Sequence, residues 1–373
     1  MGLLETRAEV APAQPQTRTI VRRAAGGLLW TLKMTAALFV FVGSLQVMKT
    51  GAASLEILQH GGPLVANSGS TLALGWLGAL LVLSGSPIAA SSLTLVSSGS
   101  LSTQEGFWML TGSRLGAAFV VLFVGVIYAL RGGSGKRAKP VATGIIAVVV
   151  TALVYIPGSA LGAVLLNGGA LGSLNPELPL QISSVLEIAY GGLLDLVEQL
   201  PGIVAFGGGL ILLLAALKMI DGVIPELDSR DFAGARAQWL QSKWSMFGLG
   251  ALVALVTMSV SVALTVLVPL VARNYLRRED IIPYVMGANI TTLGDTLLAA
   301  LLLDSADAVQ AVTASLVGTT TISLLLLTFL YSPVRTFVKS VCTICLRSRA
   351  SLAVFTAALF CIPLTLLVGS RLI

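Results

Sequence analysis

Long apolar runs separated by short polar blocks dominate the chain, and their lengths set the first expectation. A helix that crosses hydrocarbon needs about 20 predominantly apolar residues. Runs that reach or approach this length cover 24–48, 115–130, 141–166, 202–220, 281–303, 311–331 and 351–369. The first contains Lys33, close enough to one end to snorkel. Two more apolar stretches, 71–96 and 247–272, are broken in the middle, by Ser84-Gly85-Ser86-Pro87 and by Thr257-Met258-Ser259-Val260-Ser261. A break at membrane depth is tolerated only where protein or a water-lined cavity satisfies the freed backbone groups. Each broken stretch is therefore expected to be a re-entrant hairpin of two short helices, and the rest about seven full spans.

Composition agrees with lipid rather than water. Hydrophobic residues make up 55% of the 373 and charged residues only 11%, too few to coat a soluble globule of this size. A soluble enzyme is excluded on that ground. The net charge of +6 does not suggest nucleic acid, because the basic residues sit in short blocks between apolar runs. With both hairpins re-entrant, nineteen of the 23 Lys and Arg fall on one side, in the N-terminal tail, 131–139, 218–243, 273–278 and 335–349. The positive-inside rule makes that side cytoplasmic in a plasma or inner membrane, with the N-terminus inside. The tail has no convincing small-residue cleavage site, so the first helix is expected to be uncleaved.

These boundaries give a cytoplasmic tail (1–23), a first transmembrane unit (24–166, hairpin 71–96) and a second (202–331, hairpin 247–272). Between the units lies an extracytoplasmic segment (167–201), a linker or a surface helix. A basic loop and a last transmembrane helix (332–373) follow.

The order of elements occurs twice. Met48-Lys49-Thr50-Gly51 aligns with Met219-Ile220-Asp221-Gly222 at an offset of 171, and Gly78-Ala79-Leu80 with Gly250-Ala251-Leu252 at 172. Gly112-Ser113-Arg114-Leu115 faces Gly287-Ala288-Asn289-Ile290 at 175, after a small insertion. One copy starts inside and the other outside, so the expected fold class is all-α integral membrane with two inverted-topology repeats. Such repeats are common in secondary transporters, with paired broken helices placing substrate near the midplane.

The second copy ends in Gly287-Ala288-Asn289-Ile290-Thr291-Thr292, which resembles the Gly-Ala-Asn-Ile-Gly-Thr-Thr signature of type II sodium/phosphate cotransporters. Leu101-Ser102-Thr103-Gln104-Glu105 resembles the segment just before that signature in the first copy. The resemblance covers roughly 41–130 and 210–303. It implies sodium-coupled phosphate transport, and Asn289, Thr291 and Thr292 as ligands. The family's hairpins usually carry a Gln-Ser-Ser-Ser run. Here those positions read Gly85-Ser86-Pro87-Ile88 and Thr257-Met258-Ser259-Val260, and Arg114 stands where the first-copy asparagine would be.

An anion crossing a bilayer needs donors and positive potential in place of its water shell, and helix N-termini at the breaks supply both. Hydroxyls that add to them are Ser86, Ser91, Ser92 and Thr94 in the first hairpin, and Ser259 and Ser261 in the second. Thr257 and Thr265 join Thr291 and Thr292 as candidate oxygens for the coupling ion. The competing use of each hydroxyl is to bond its own helix backbone. Ser102 and Glu105 also fit a capping box opening a helix.

Two charges lie inside apolar segments, Arg114 and Asp295. Each costs about 2.5 to 3.5 kcal/mol at a helix centre on insertion scales. Arg114 is a candidate anion anchor. Asp295 is expected to pair with it, bind a cation or take up a proton, unless the pair merely fastens the halves together. His60 and the three cysteines leave little for metal or redox chemistry, and Cys342-x-x-Cys345 lacks the partners of a zinc site. Trp30, Trp108 and Trp244 suit interface anchors.

The sequence thus points to an ion-coupled secondary transporter rather than an enzyme. Its expected cargo is phosphate or a similar inorganic anion, moved with sodium or protons, and it needs no cofactor beyond the coupling ion. No phosphate-cradling ATP loop is present. The alternatives are transport of another anion with proton coupling, and a scaffold or regulator that kept the fold without transporting.

Overall fold

The computed structural model describes residues 16–55, 65, 67–131, 138–173, 180–223, 242–272 and 276–370. His60, residues 1–15 and most of the basic loop after residue 223 lie outside them. Among the described residues every regular element is a helix. Seven helical stretches among the described residues are long and apolar enough to cross a membrane, as an all-α, membrane-embedded protein requires.

In the first half the helices are α1 (Gln16–Ala52), α2 (Ser68–Val82), α3 (Ser86–Ser97), α4 (Thr103–Ala117), α5 (Phe119–Arg131) and α6 (Ala138–Asn167). After α7 (Leu180–Val197) and α8 (Gly202–Val223) come α9 (Lys243–Thr257), α10 (Val260–Thr265), α11 (Leu267–Ala272), α12 (Ile281–Thr291) and α13 (Leu293–Leu302). The chain closes with α14 (Ala306–Thr328), α15 (Tyr331–Leu346) and α16 (Arg349–Gly369). Both expected breaks are present. The first falls between α2 and α3, the second between α9 and α10.

Close backbone approach fixes the register of each half. A Cβ on Gly75 would lie 2.0 Å from the Met109 carbonyl oxygen, and one on Gly112 would lie 2.0 Å from that of Leu72. Only glycine lets α2 and α4 meet so closely. The same pair of contacts recurs 175 residues later: Gly250 against the Tyr284 carbonyl and Gly287 against that of Phe247, again at 2.0 Å. Leu83 and Met258, which end α2 and α9 in the left-handed region, are also 175 apart. The helices around the two breaks thus correspond at 175, so Gly250 matches Gly75 rather than Gly78, and no insertion is needed between the breaks and Gly112/Gly287. Helices repeat their face every three or four residues, so an apolar alignment slipped by one turn looks as good in sequence.

The halves meet α14 at different ends. Beside its N-terminus, Lys49 Nζ donates to the Leu303 carbonyl at 3.1 Å and Ser97 Oγ to the same oxygen at 3.2 Å. At its C-terminus, Lys243 Nζ donates to the Leu327 carbonyl at 2.7 Å. Residues of α1 and α3 thus bond beside the N-terminus of α14, and a residue at the start of α9 bonds at its C-terminus.

One segment differs from expectation, and a second takes one of its two expected forms. The basic loop after residue 331 is largely helical, because Val334, Val338, Cys342 and Cys345 form a stripe that α15 buries against the bundle. The segment before α8 contains α7, which follows the flank of α1: Tyr190 OH donates to the Phe39 carbonyl at 2.8 Å, and Val197 packs with Val47. Its Ile188 and Leu196 are exposed, so α7 presents apolar side chains outward as well.

Candidate functional site

The two breaks open onto one cavity of about 240 Å³. Ser86 enters it from the start of α3, Met258 from the end of α9, and Asp295 and Thr296 from α13. Leu38 and Phe41 of α1 and Leu217 and Asp221 of α8 close the other side. The wall is mainly apolar. Its charged lining residues are Asp221 and Asp295, and no Lys or Arg among the described residues lines it.

Asp295 is the hub. Ser86 Oγ donates to its Oδ2 at 2.8 Å, and Thr296 Oγ1 donates to its Oδ1 at 2.8 Å. Arg114 Nη2 lies 3.6 Å from Oδ1 and donates to the Thr296 hydroxyl. The Asp295 carboxylate therefore lies against Ser86, the first residue of α3, near the positive end of that helix's dipole.

Arg114 is enclosed behind this carboxylate, its side chain only 1% exposed. Its Nε and Nη1 are buried with no hydrogen-bond partner among the described residues. Burying a guanidinium with unmet donors is costly, so these two groups would gain from a further acceptor. Tyr155 of α6 lies within electrostatic reach of both Arg114 and Asp295.

No protein-family model, curated protein or solved structure matches the chain. The site therefore has to be weighed on its own geometry.

That geometry gathers Ser86, Arg114 and Asp295 from the sequence candidates and leaves most of the others on backbone. Ser91 donates to the Pro87 carbonyl, Ser92 to Ala89, Thr94 to Ala90, Thr257 to Val253 and Thr265 to Val262. Ser259 caps α10 by accepting from the Val262 N–H. Ser261 is half-buried and not among the cavity's lining residues.

The signature residues act between helices. Asn289 Nδ2 donates to Thr151 Oγ1 at 3.1 Å, and the Asn289 carbonyl accepts from Tyr155 OH at 2.9 Å and Thr292 Oγ1 at 3.2 Å. Thr291 donates across to the Ala251 carbonyl at 2.9 Å. The Ser102–Glu105 capping box is present, with the Ser102 N–H donating to Glu105 Oε2 at 2.8 Å. Cys342 and Cys345 are buried free thiols, and no metal-ligand cluster occurs among the described residues.

Thr296, Asp221, Met258 and Tyr155 were not singled out from sequence. Thr296 adjoins Asp295 and was findable on that ground. Tyr155 carries no such signal, because an aromatic in an apolar run reads as packing.

Proposed function

We propose that this chain is an ion-coupled secondary transporter of an inorganic anion, working by alternating access, with sodium-driven phosphate symport as its leading activity. Two inverted repeats with re-entrant hairpins are the architecture of this reading, and the distribution of basic blocks supports a cytoplasmic N-terminus. One observation carries it. The Asp295 carboxylate accepts from Ser86 at the start of α3, and Arg114 lies behind it with two unmet donors.

Coupling follows from charge. With Asp295 ionised, the carboxylate offsets Arg114 and occupies the end of α3, so a second anion is repelled. A sodium ion or proton on Asp295, with the Ser86 and Thr296 oxygens beside it, removes that offset. Arg114 and the α3 N-terminus then become available to an incoming anion. The acidic wall selects the cation first, and the cation admits the anion. Loss of the Gln-Ser-Ser-Ser runs leaves this pair in place of the ligands that the resemblance implies.

Reconstitution tests the reading directly. Purified protein in proteoliposomes should accumulate radiolabelled phosphate when a sodium gradient is imposed, and not with potassium. Accumulation driven only by a pH gradient would reassign the coupling ion to the proton. No accumulation of phosphate or of other inorganic anions under any gradient would leave the fold without a transport role and favour a scaffold.

A further inference from the structure

A second pocket, of about 580 Å³, lies away from the central cavity, between the turn before α12 and helix α15. Arg277, Arg278, Arg335 and Lys339 line it, with Glu279 as its one acidic lining residue. Glu279 is already engaged by both Arg335 and Lys339. Asp280 beside it accepts a hydrogen bond from the Arg277 backbone N–H at 3.1 Å and is not among the lining residues. The lining therefore keeps an excess of three positive charges. The guanidinium Nε of Arg335 is buried without a partner among the described residues. That is an unmet donor beside a basic hollow.

The surroundings decide what kind of anion fits. α15 joins two membrane-length helices, α14 and α16, so it lies near the level where hydrocarbon gives way to headgroups. Its buried stripe faces the bundle, while Phe337 and Ile344 are 52% and 63% exposed. Phe329, just before α15, is 75% exposed. Ile146, Ile282 and Val338 also line the pocket beside the basic side chains, and a free phosphate has no use for those apolar walls. An amphiphile with an anionic head uses both parts, the phosphodiester against the basic side chains and its apolar portion against Ile146, Ile282 and Val338.

We infer that this pocket is a binding site for the headgroup of an anionic phospholipid, which seats α15 against the bundle. The site is separate from the transport pathway and stands whether or not transport is found. Juxtamembrane basic residues each strengthen anionic-lipid binding by roughly fivefold.

The test uses the full chain in detergent, titrated with dioleoylphosphatidylglycerol or dioleoylphosphatidylcholine and read by native mass spectrometry. The expected result is a preference of about tenfold or more for phosphatidylglycerol. That preference should disappear in the double variant Arg277→Gln/Arg278→Gln, whose side chains are exposed and whose loss leaves the Glu279 contacts intact. Glu279→Gln should change binding in the other direction, tightening it. Equal binding of the two lipids, or a preference unchanged by the double variant, would overturn the site. Displacement of bound phosphatidylglycerol by millimolar inorganic phosphate would overturn the lipid assignment and make the pocket a phosphate site.

Discussion

Leu83 and Met258 stand 175 residues apart and both hold positive φ, 55° and 46°, at the point where the first arm of each broken helix stops. Neither is glycine, so each break carries the Cβ crowding of the left-handed region, about 1–2 kcal/mol. Such strain persists only where the surroundings over-determine it. Here the second arms, α3 and α10, begin within three residues and leave no room for another course.

That relationship predicts an asymmetric response at Leu83. Leu83→Gly relieves the crowding and is expected to leave the melting temperature of the purified protein within a few degrees of wild type. Leu83→Val places a β-branched residue where it fits worst and should cost about 1–3 kcal/mol more. Equal melting of the two variants would mean that the break is not held in this conformation.

The paired glycine contacts make a sharper prediction. Gly75→Ala and Gly250→Ala would each drive a methyl to 2.0 Å from a carbonyl oxygen of the facing helix. Separating the helices to admit it should cost about 1–3 kcal/mol or more, seen as reduced monodisperse yield and a lowered melting temperature. Gly248→Ala on the same helix as Gly250 meets nothing within 4 Å and should be neutral or stabilising by up to about 1 kcal/mol. If all three behave alike, the register of α9 on α12 is wrong.

What could be read from sequence divides along physical lines. The spans were legible because their length is set by the bilayer, and the breaks because Ser84-Gly85-Ser86-Pro87 cannot continue a helix smoothly. Arg114 and Asp295 were legible because a charge in an apolar run needs a reason, and the structure does bring them to 3.6 Å. The hydroxyls were not. Ser91, Thr94 and Thr257 look the same in sequence whether they face a cavity or bond a carbonyl four residues back, and all three do the latter. The repeat offset was blurred by the near-equivalence of helix faces one turn apart. α15 was hidden because its basic residues dominate the composition of 335–349 and mask a four-position apolar stripe.

The thiols of α15 report whether that helix is seated. Burial pushes the Cys342 thiol above the ordinary range, with the Arg278 guanidinium offsetting part of the shift, and burial raises Cys345 as well. The neutral thiol is therefore the favoured form, so this contribution to stability is complete at neutral pH and is lost as pH rises past the ordinary thiol value. Iodoacetamide, which needs thiolate, should leave both residues unmodified in the folded protein at neutral pH and modify both after denaturation, as read by peptide mass spectrometry. Rapid native labelling at neutral pH would place α15 away from the bundle.

The Arg114–Asp295 pair admits two roles, and a double-mutant cycle with two readouts separates them. Removing either charge alone leaves the other buried and uncompensated, so Arg114→Gln and Asp295→Asn should each destabilise by about 3 kcal/mol. The double variant should recover part of that loss. A pair that only fastens the halves would show this pattern in stability and nothing more. If Asp295 is the internal anion that a cation must neutralise, Asp295→Asn makes Arg114 permanently available. Phosphate binding by the solubilised variant should then become independent of sodium, while uptake loses its response to a sodium gradient. Arg114→Gln should abolish phosphate binding with or without sodium. Sodium-dependent binding that survives unchanged in a folded Asp295→Asn protein would remove Asp295 from the coupling step, whatever the stability cycle shows.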